Sequence, residues 1–184
     1  SSCRPPRASR SAPPRWACVV TTVPQRKDTL LPLTLASIKA AGFPDPRLCV
    51  DGTDSGFNGF GLEVTYRAQQ IRTHGNWILA AMELFIRNPH AARYGIFQDD
   101  FMVYRNCRQY LDACTYPAKG YWNLTTFDGR PGSSNEKVVD GKPTGWYEAA
   151  NLMSPPGYQA GRGGVALGFD REALLTLLSS RHMA

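Results

Sequence analysis

Residues 94–100 have the sequence YGIFQDD, in which a short apolar run is followed by a glutamine and two adjacent aspartates. The run predicts a buried strand over 94–97, with Gln98, Asp99 and Asp100 at its carboxyl end. Two neighbouring carboxylates repel each other unless a cation or a basic side chain balances them. A hard divalent metal would do so, and would also hold a pyrophosphate through shared oxygens. The alternative role for this pair is a turn or a helix cap.

The segments before this strand alternate between strand and helix patterns. Three further strands are predicted, at 16–23 (WACVVTTV), 47–50 and 62–66. One helix is expected to begin with Asp28 as its N-cap and to end at Gly42. A second helix is expected to open at Gly75 and Asn76 and to stop at 88–89, where a proline follows an asparagine.

Strands that alternate with helices predict an α/β fold, with a mostly parallel sheet flanked by helices on both faces. After Asp100 the pattern is less regular, and we expect an irregular second half. Its predicted elements are a helix, two strands and a final helix capped by Asp170, at 106–116, 121–127, 165–169 and 170–180.

Polar clusters follow three of the predicted strands. They are 21–26 (TTVPQR), 51–54 (DGTD) and 98–100 (QDD). Right-handed crossovers bring the carboxyl ends of parallel strands to one edge of the sheet, and ligands bind beyond that edge. The three clusters are therefore expected to meet there, and their convergence points to a binding site more strongly than any one cluster does.

The chain has 184 residues, and we expect a flexible Ser-, Pro- and Arg-rich linker over 1–15 and one domain over 16–184. The net charge is +6, but four arginines of the linker carry most of it and about +2 remains on the domain. That distribution disfavours nucleic acid as a partner. No apolar run approaches the ~20 residues of a membrane span, so no integral membrane segment is expected in this chain.

The five cysteines form no paired motif, and their odd number disfavours a disulfide framework. Cys18 and Cys49 lie inside apolar runs and are predicted to be core residues. Reduced thiols indicate an intracellular protein, and we expect the cytoplasm. The alternative is the Golgi lumen, if an anchor precedes the sequence.

In their order, these elements resemble the GT-A glycosyltransferases, which have a Rossmann-like fold. Pro24 and Arg26 match the loop after the first strand of that family. Residues 50–54 (VDGTD) look like its base-reading loop, with Asp51 in the base-reading position. Residues 95–100 (GIFQDD) look like the strand that ends in the family's DxD motif. The first position of DxD is normally acidic, but here it is the neutral Gln98. The sequence therefore fits better the branch that transfers N-acetylglucosamine, whose variant of the motif is acidic at its last two positions.

The resemblance implies a nucleoside diphosphate sugar as donor, a UDP-sugar being the first expectation, and Mn or Mg as the metal. Asp100 is then the metal ligand, and Asp99 contacts the ribose or the metal shell. We also count Thr22 and Asn76 among the predicted donor-binding residues. The implied activity is transfer of a sugar to an acceptor hydroxyl on a glycan or another small molecule.

The later half carries further predicted site residues. Gly163 and Gly164 resemble the glycine-rich loop that approaches the donor sugar. In the family the base of inverting enzymes follows that loop and its helix, so we expect this sequence to be a fragment. Glu148 is the candidate base within it. Three aromatic residues are predicted to face the acceptor, with core packing as their alternative role: Trp122, Trp146 and Tyr147.

Two other functions remain open from the sequence. A nucleotidyltransferase uses a similar sheet and metal, but its first loop usually contains glycine, and residues 21–26 contain none. A non-catalytic module that binds a sugar or a nucleotide is the other alternative, because Gln98 replaces an acidic residue.

Overall fold

The computed structural model describes residues 15–53, 56–113, 120–124 and 165–180. Among these residues the strands are β1 Trp16–Thr22, β2 Arg47–Val50, β3 Val64–Tyr66, β4 Arg93–Gln98, β5 Tyr121–Asn123 and β6 Ala166–Asp170. The helices are α1 Leu30–Ala40, α2 Arg72–Arg87, α3 Cys107–Ala113 and α4 Arg171–Leu178. Short 3-10 turns are formed by Pro24–Arg26 and Gly56–Phe60.

The six strands form one sheet in the order β3-β2-β1-β4-β6-β5. The first four are parallel, β6 is antiparallel to β4, and β5 is antiparallel to β6. In the register of the parallel strands Thr22 lies beside Val50, and Val50 lies beside Tyr66. The loops after β1, β2, β3 and β4 therefore leave from one edge, and the predicted mostly parallel α/β sheet is confirmed.

Each face of the sheet is covered by helices. The side chains of β1 point alternately into two apolar clusters, one on each face. Cys18 and Val20 pack with residues of α1 and α3. Ala17 and Val19 pack with residues of α2 and α4 on the opposite face. The fully buried strand is bounded by layers on both sides, as its continuous apolar sequence predicts.

The first helix begins later than predicted, and Asp28 is not its cap. The N-cap is Thr29, which makes no side-chain capping bond, and Asp28 lies exposed in the preceding turn. The backbone N–H of Thr29 has a backbone partner instead of a side-chain cap. It donates to Arg26 O, at the end of the 3-10 turn Pro24–Arg26, at 3.3 Å. The helix ends as predicted at Gly42, whose φ of 84° is easily adopted only by glycine.

The second helix begins at Arg72, three residues before the predicted start at Gly75. The reason is a tertiary contact, because the Asp51 carboxylate accepts a hydrogen bond from the Ile71 backbone N–H at 2.8 Å. A partner that lies 20 residues away in sequence thus supports the start of the helix. Its end at Asn88 is confirmed.

In the second half, the predicted strand before α4 is confirmed as β6, and Asp170 caps α4 by accepting from Ala173 N at 2.8 Å. The predicted helix at 106–116 and strand at 121–127 correspond to α3 and β5 over their described parts. Cys18 and Cys49 are buried free thiols, which confirms their core assignment. No helix in the described ranges is long and apolar enough to cross a membrane.

Candidate functional site

Asp99 lies at the centre of the edge, directly after β4, and its side chain is only 4% exposed. Its Oδ2 accepts a hydrogen bond from Thr22 Oγ1 at 2.6 Å, and its Oδ1 accepts one from Arg26 Nη1 at 2.6 Å. Its backbone carbonyl accepts from Thr34 Oγ1 on α1 at 2.7 Å. Asp99 therefore connects β1, the loop that follows β1, and α1 to the end of β4.

Asp100 is the accessible carboxylate of the pair, with 35% of its side chain exposed. Its Oδ2 lies 3.0 Å from the same Arg26 Nη1 that contacts Asp99. The hydrogen bond to Asp99, opposed in part by desolvation and supported by the charges of both carboxylates, raises the pKa of Arg26. Arg26 is thus the basic partner that two adjacent carboxylates require.

Asp51 follows β2 at the same edge and is buried, with 4% of the residue exposed. Its backbone N–H donates to Thr22 O at 2.9 Å, which continues the β1–β2 ladder by one residue. Its carboxylate bonds to Ile71 N, as described above. The structure therefore brings the three predicted polar clusters together. Thr22, which belongs to the first cluster, contacts Asp51 and Asp99 in the other two.

A partly buried ion pair and its neighbouring hydrogen bonds support this edge from the α2 side. Arg67, directly after β3, donates from Nε to Asn76 Oδ1 at 2.9 Å and pairs with Glu83 at 2.5 Å. Asn76 Nδ2 donates to Cys49 O at 2.9 Å. Both the amide oxygen and the amide nitrogen of Asn76 have protein partners, so this geometry favours a positioning role over the predicted direct contact with the donor.

A cavity of about 390 Å³ opens beside Asp51, at the same edge of the sheet. Its lining comes from the loops after β1, β2 and β3: Pro24, Gly52, Thr53, Ala68, Gln69 and Gln70. Gly52 allows two of these loops to approach, because a Cβ at this position would lie 3.0 Å from Pro24 Cγ. The volume falls in the usual range for small-molecule sites.

No motif in the sequence indicated the third loop of this cavity, which contributes Gln69 and Gln70, or Arg67 beside them. Only their position could have indicated a role in the site, because they follow a parallel strand and must emerge at the same edge as the other clusters. Ordinary polar residues without a motif gave no further indication.

The carboxylates offer oxygen ligands, which suit Mg or Mn. Asp100 is accessible enough to bind such an ion, whereas both carboxylate oxygens of Asp99 already have protein partners. Within the described ranges no group of three or more His, Cys, Asp and Glu residues could hold a metal. The side chains described thus fit a metal that takes one or two protein ligands and completes its shell with phosphate oxygens and water, as Mg commonly does.

Trp122 lies in the middle of β5 and not at the carboxyl edge of the parallel strands. It is 2% exposed, its ring centroid lies 6.3 Å from that of Trp16, and the Arg93 guanidinium lies 5.0 Å from its centroid on the ring face. This packing favours the alternative role of Trp122 in the core over the predicted acceptor contact, because stacking on a sugar requires an accessible ring face. Five other predicted site residues lie outside the described residues: Trp146, Tyr147, Glu148, Gly163 and Gly164.

Comparison with known proteins gives distant likenesses to solved structures. No protein-family profile and no curated protein matches the chain. A solved structure that is similar is the mannosyltransferase PcManGT from Pyrobaculum calidifontis in complex with GDP-Man and Mn2+, at 13% identity and a TM-score of 0.45. The match covers 63% of this chain and 38% of that chain. The likeness is too distant to assign a function, which is therefore inferred from the residues of this chain.

Proposed function

We propose that the chain binds a nucleoside diphosphate sugar at the carboxyl edge of its sheet and transfers the sugar to an acceptor hydroxyl, as a glycosyltransferase of the GT-A type. The observation that carries this proposal is the convergence of an arginine, two carboxylates and a 390 Å³ cavity at one edge. Ligands of α/β sheets bind at such edges. The resemblance in the order of motifs supports the sugar nucleotide as the ligand.

The proposed donor lies with its base in the cavity and its diphosphate towards Asp100. Pro24 and Gly52 offer one wall for the base, while Gln69 and Gln70 offer amide groups for hydrogen bonds from the other loop. Asp51 supports this pocket through Ile71 and remains the candidate for a direct contact to uracil. A UDP-sugar is accordingly the first donor to test.

Transfer leaves negative charge on the departing diphosphate, and catalysis requires that charge to be stabilised. Asp100, with Asp99 in support, would hold Mn or Mg, which supplies a Lewis acid at the diphosphate when bound. Arg26 adds a positive charge near the same position. Orientation and deprotonation of the acceptor hydroxyl stay assigned to predicted residues in the later half, with Glu148 as the candidate base and Trp146 and Tyr147 at the acceptor.

Calorimetry with UDP, in Mn²⁺ and in EDTA, tests donor binding. We expect Mn²⁺ to tighten UDP binding, and Asp100→Asn to weaken binding in Mn²⁺ by about tenfold or more, as expected for loss of an interaction with a charged group. Asp28→Asn is the matched control, because Asp28 is an exposed aspartate outside the site. Equal UDP affinity in EDTA and in Mn²⁺ would contradict the metal role.

Product analysis separates the proposed function from its alternatives. A glycosyltransferase given a sugar nucleotide and an acceptor releases the nucleoside diphosphate. A nucleotidyltransferase given a nucleoside triphosphate and a sugar phosphate releases pyrophosphate. UDP binding without either product, also in a chain extended by any native flanking sequence, would instead favour a non-catalytic binding module.

A further inference from the structure

The Arg26 guanidinium lies 3.0 Å from Asp100 Oδ2, on the carboxylate that is the proposed metal ligand. We infer that Arg26 and the metal compete for the Asp100 carboxylate, and that the guanidinium keeps Asp99 as its anchor when the metal displaces it. This inference rests on the proposed function and deepens it, because it assigns to Arg26 a response to the metal of that site. Its support is the difference between the two ion pairs that Arg26 makes.

The contact with Asp99 is the firmer of the two. It is 2.6 Å long, and Asp99 is 4% exposed and is also held by Thr22. The contact with Asp100 is 3.0 Å long and joins a side chain that is 40% exposed to one that is 35% exposed. Exposed ion pairs contribute little because water and salt screen them, so the Asp100 contact is the one that a competing ion breaks first.

Simultaneous binding is unfavourable on electrostatic grounds. A metal ion bound to Asp100 Oδ2 would lie ~2 Å from that oxygen, and Arg26 Nη1 lies 3.0 Å from it. A divalent ion and a guanidinium that share one carboxylate oxygen repel each other. Either the guanidinium moves away from Asp100, or the metal binds elsewhere.

The exchange changes the sign of the local charge. Two carboxylates and one guanidinium carry one net negative charge, which repels a diphosphate. Addition of a divalent cation gives one net positive charge, which attracts it. The released donors of Arg26 are then free for a phosphate oxygen, since a guanidinium has five N–H donors and Asp99 uses one of them.

The test measures Mn²⁺ affinity without any nucleotide, from the electron paramagnetic resonance signal of free Mn²⁺. Arg26→Met, which keeps the apolar stem, should bind Mn²⁺ about three- to tenfold more tightly than the native chain. Arg26→Lys should show a smaller gain. Arg87→Met is the matched control, because it removes an equal charge from the far end of α2 and should leave the affinity unchanged.

A second titration uses inorganic pyrophosphate in saturating Mn²⁺. Here Arg26→Met should bind more weakly than the native chain, so the same substitution has opposite effects on the two ligands. A purely structural role for Arg26 would weaken both, and circular dichroism would show whether the variant is folded.

Three outcomes would overturn the inference. They are an Mn²⁺ affinity that Arg26→Met leaves unchanged or lowers, a gain that persists when Asp100→Asn is added, and an absence of Mn²⁺ binding by both the native chain and Arg26→Met. None of them decides the proposed function, which depends on UDP binding and on product release. Conversely, a chain that shows the competition but binds no UDP would refute the proposed donor while leaving the inference intact.

Discussion

Asp51 is a buried carboxylate that accepts a hydrogen bond from the Ile71 backbone N–H at the start of α2. Loss of such an acceptor leaves a partly buried N–H without its partner, which costs about 1–3 kcal/mol. Asp51→Ala should therefore lower the free energy of unfolding by about that amount in urea titrations. Asp51→Asn keeps an oxygen acceptor and should retain most of the stability.

The same two variants separate the positioning role of Asp51 from base recognition. If Asp51 acts only through Ile71, UDP affinity should fall in Asp51→Ala and largely recover in Asp51→Asn. If its carboxylate accepts a hydrogen bond from uracil directly, both variants should bind UDP more weakly. An Asp51→Ala variant as stable as the native chain would contradict the structural contribution of the Ile71 contact.

At the scale of the element, β4 is shaped by the glycine at its centre. A Cβ at Gly95 would lie 2.8 Å from Phe97 Cε2 and 3.1 Å from Cys18 Sγ. The Phe97 ring is buried and packs against Phe43, with centroids 5.3 Å apart, so it has little room to move. Gly95 thus leaves space for the ring that precedes the carboxylate pair by two residues.

Gly95→Ala should destabilise the fold by about 1–3 kcal/mol, because it overpacks a dense core. The urea midpoint measures this effect. Gly59→Ala is the matched control, since an added Cβ there meets no atom within 4 Å, and it should change stability by less than about 0.5 kcal/mol. Equal midpoints for the two variants would show that β4 adjusts to the methyl group without strain.

At the scale of the whole molecule, the two apolar layers each contain a buried cysteine that belongs to a strand of the sheet. Cys18 belongs to the layer with α1, and Cys49 belongs to the layer with α2. Burial raises the pKa of both thiols, and in Cys49 it does so from 9.0 to about 12, with a further contribution from the nearby Glu83 carboxylate. A thiolate is the reactive form, so both residues should be inert while the chain is folded.

Alkylation at pH 8, with the modified positions mapped by mass spectrometry, should spare Cys18 and Cys49 in the native chain and modify both in urea. Modification of either in the native chain at the unfolded rate would indicate that its layer opens readily. The raised pKa of Cys49 also predicts how the stability of the fold depends on pH. The protonated Cys49 thiol contributes fully to the free energy of unfolding below pH 9.0, and this contribution decreases as the pH rises towards about 12.

Much of the architecture could be predicted from local patterns. A continuous apolar run in β1 and alternating strand and helix segments are sufficient for a parallel sheet with two covered faces. The edge rule for parallel strands then brings together the residues after β1, β2 and β4. Thr22, Arg26 and Asp99 do meet there, because this convergence follows from topology and needs no knowledge of side-chain packing.

Only the tertiary structure decided what those residues bind to. Arg26 neutralises a carboxylate 73 positions away, Asp51 supports a helix 20 positions away, and Trp122 packs in the core against Trp16. A local pattern predicts an element or a polar loop. It does not predict whether a carboxylate faces a guanidinium, a backbone N–H or solvent, because that depends on the distances between elements after they have packed.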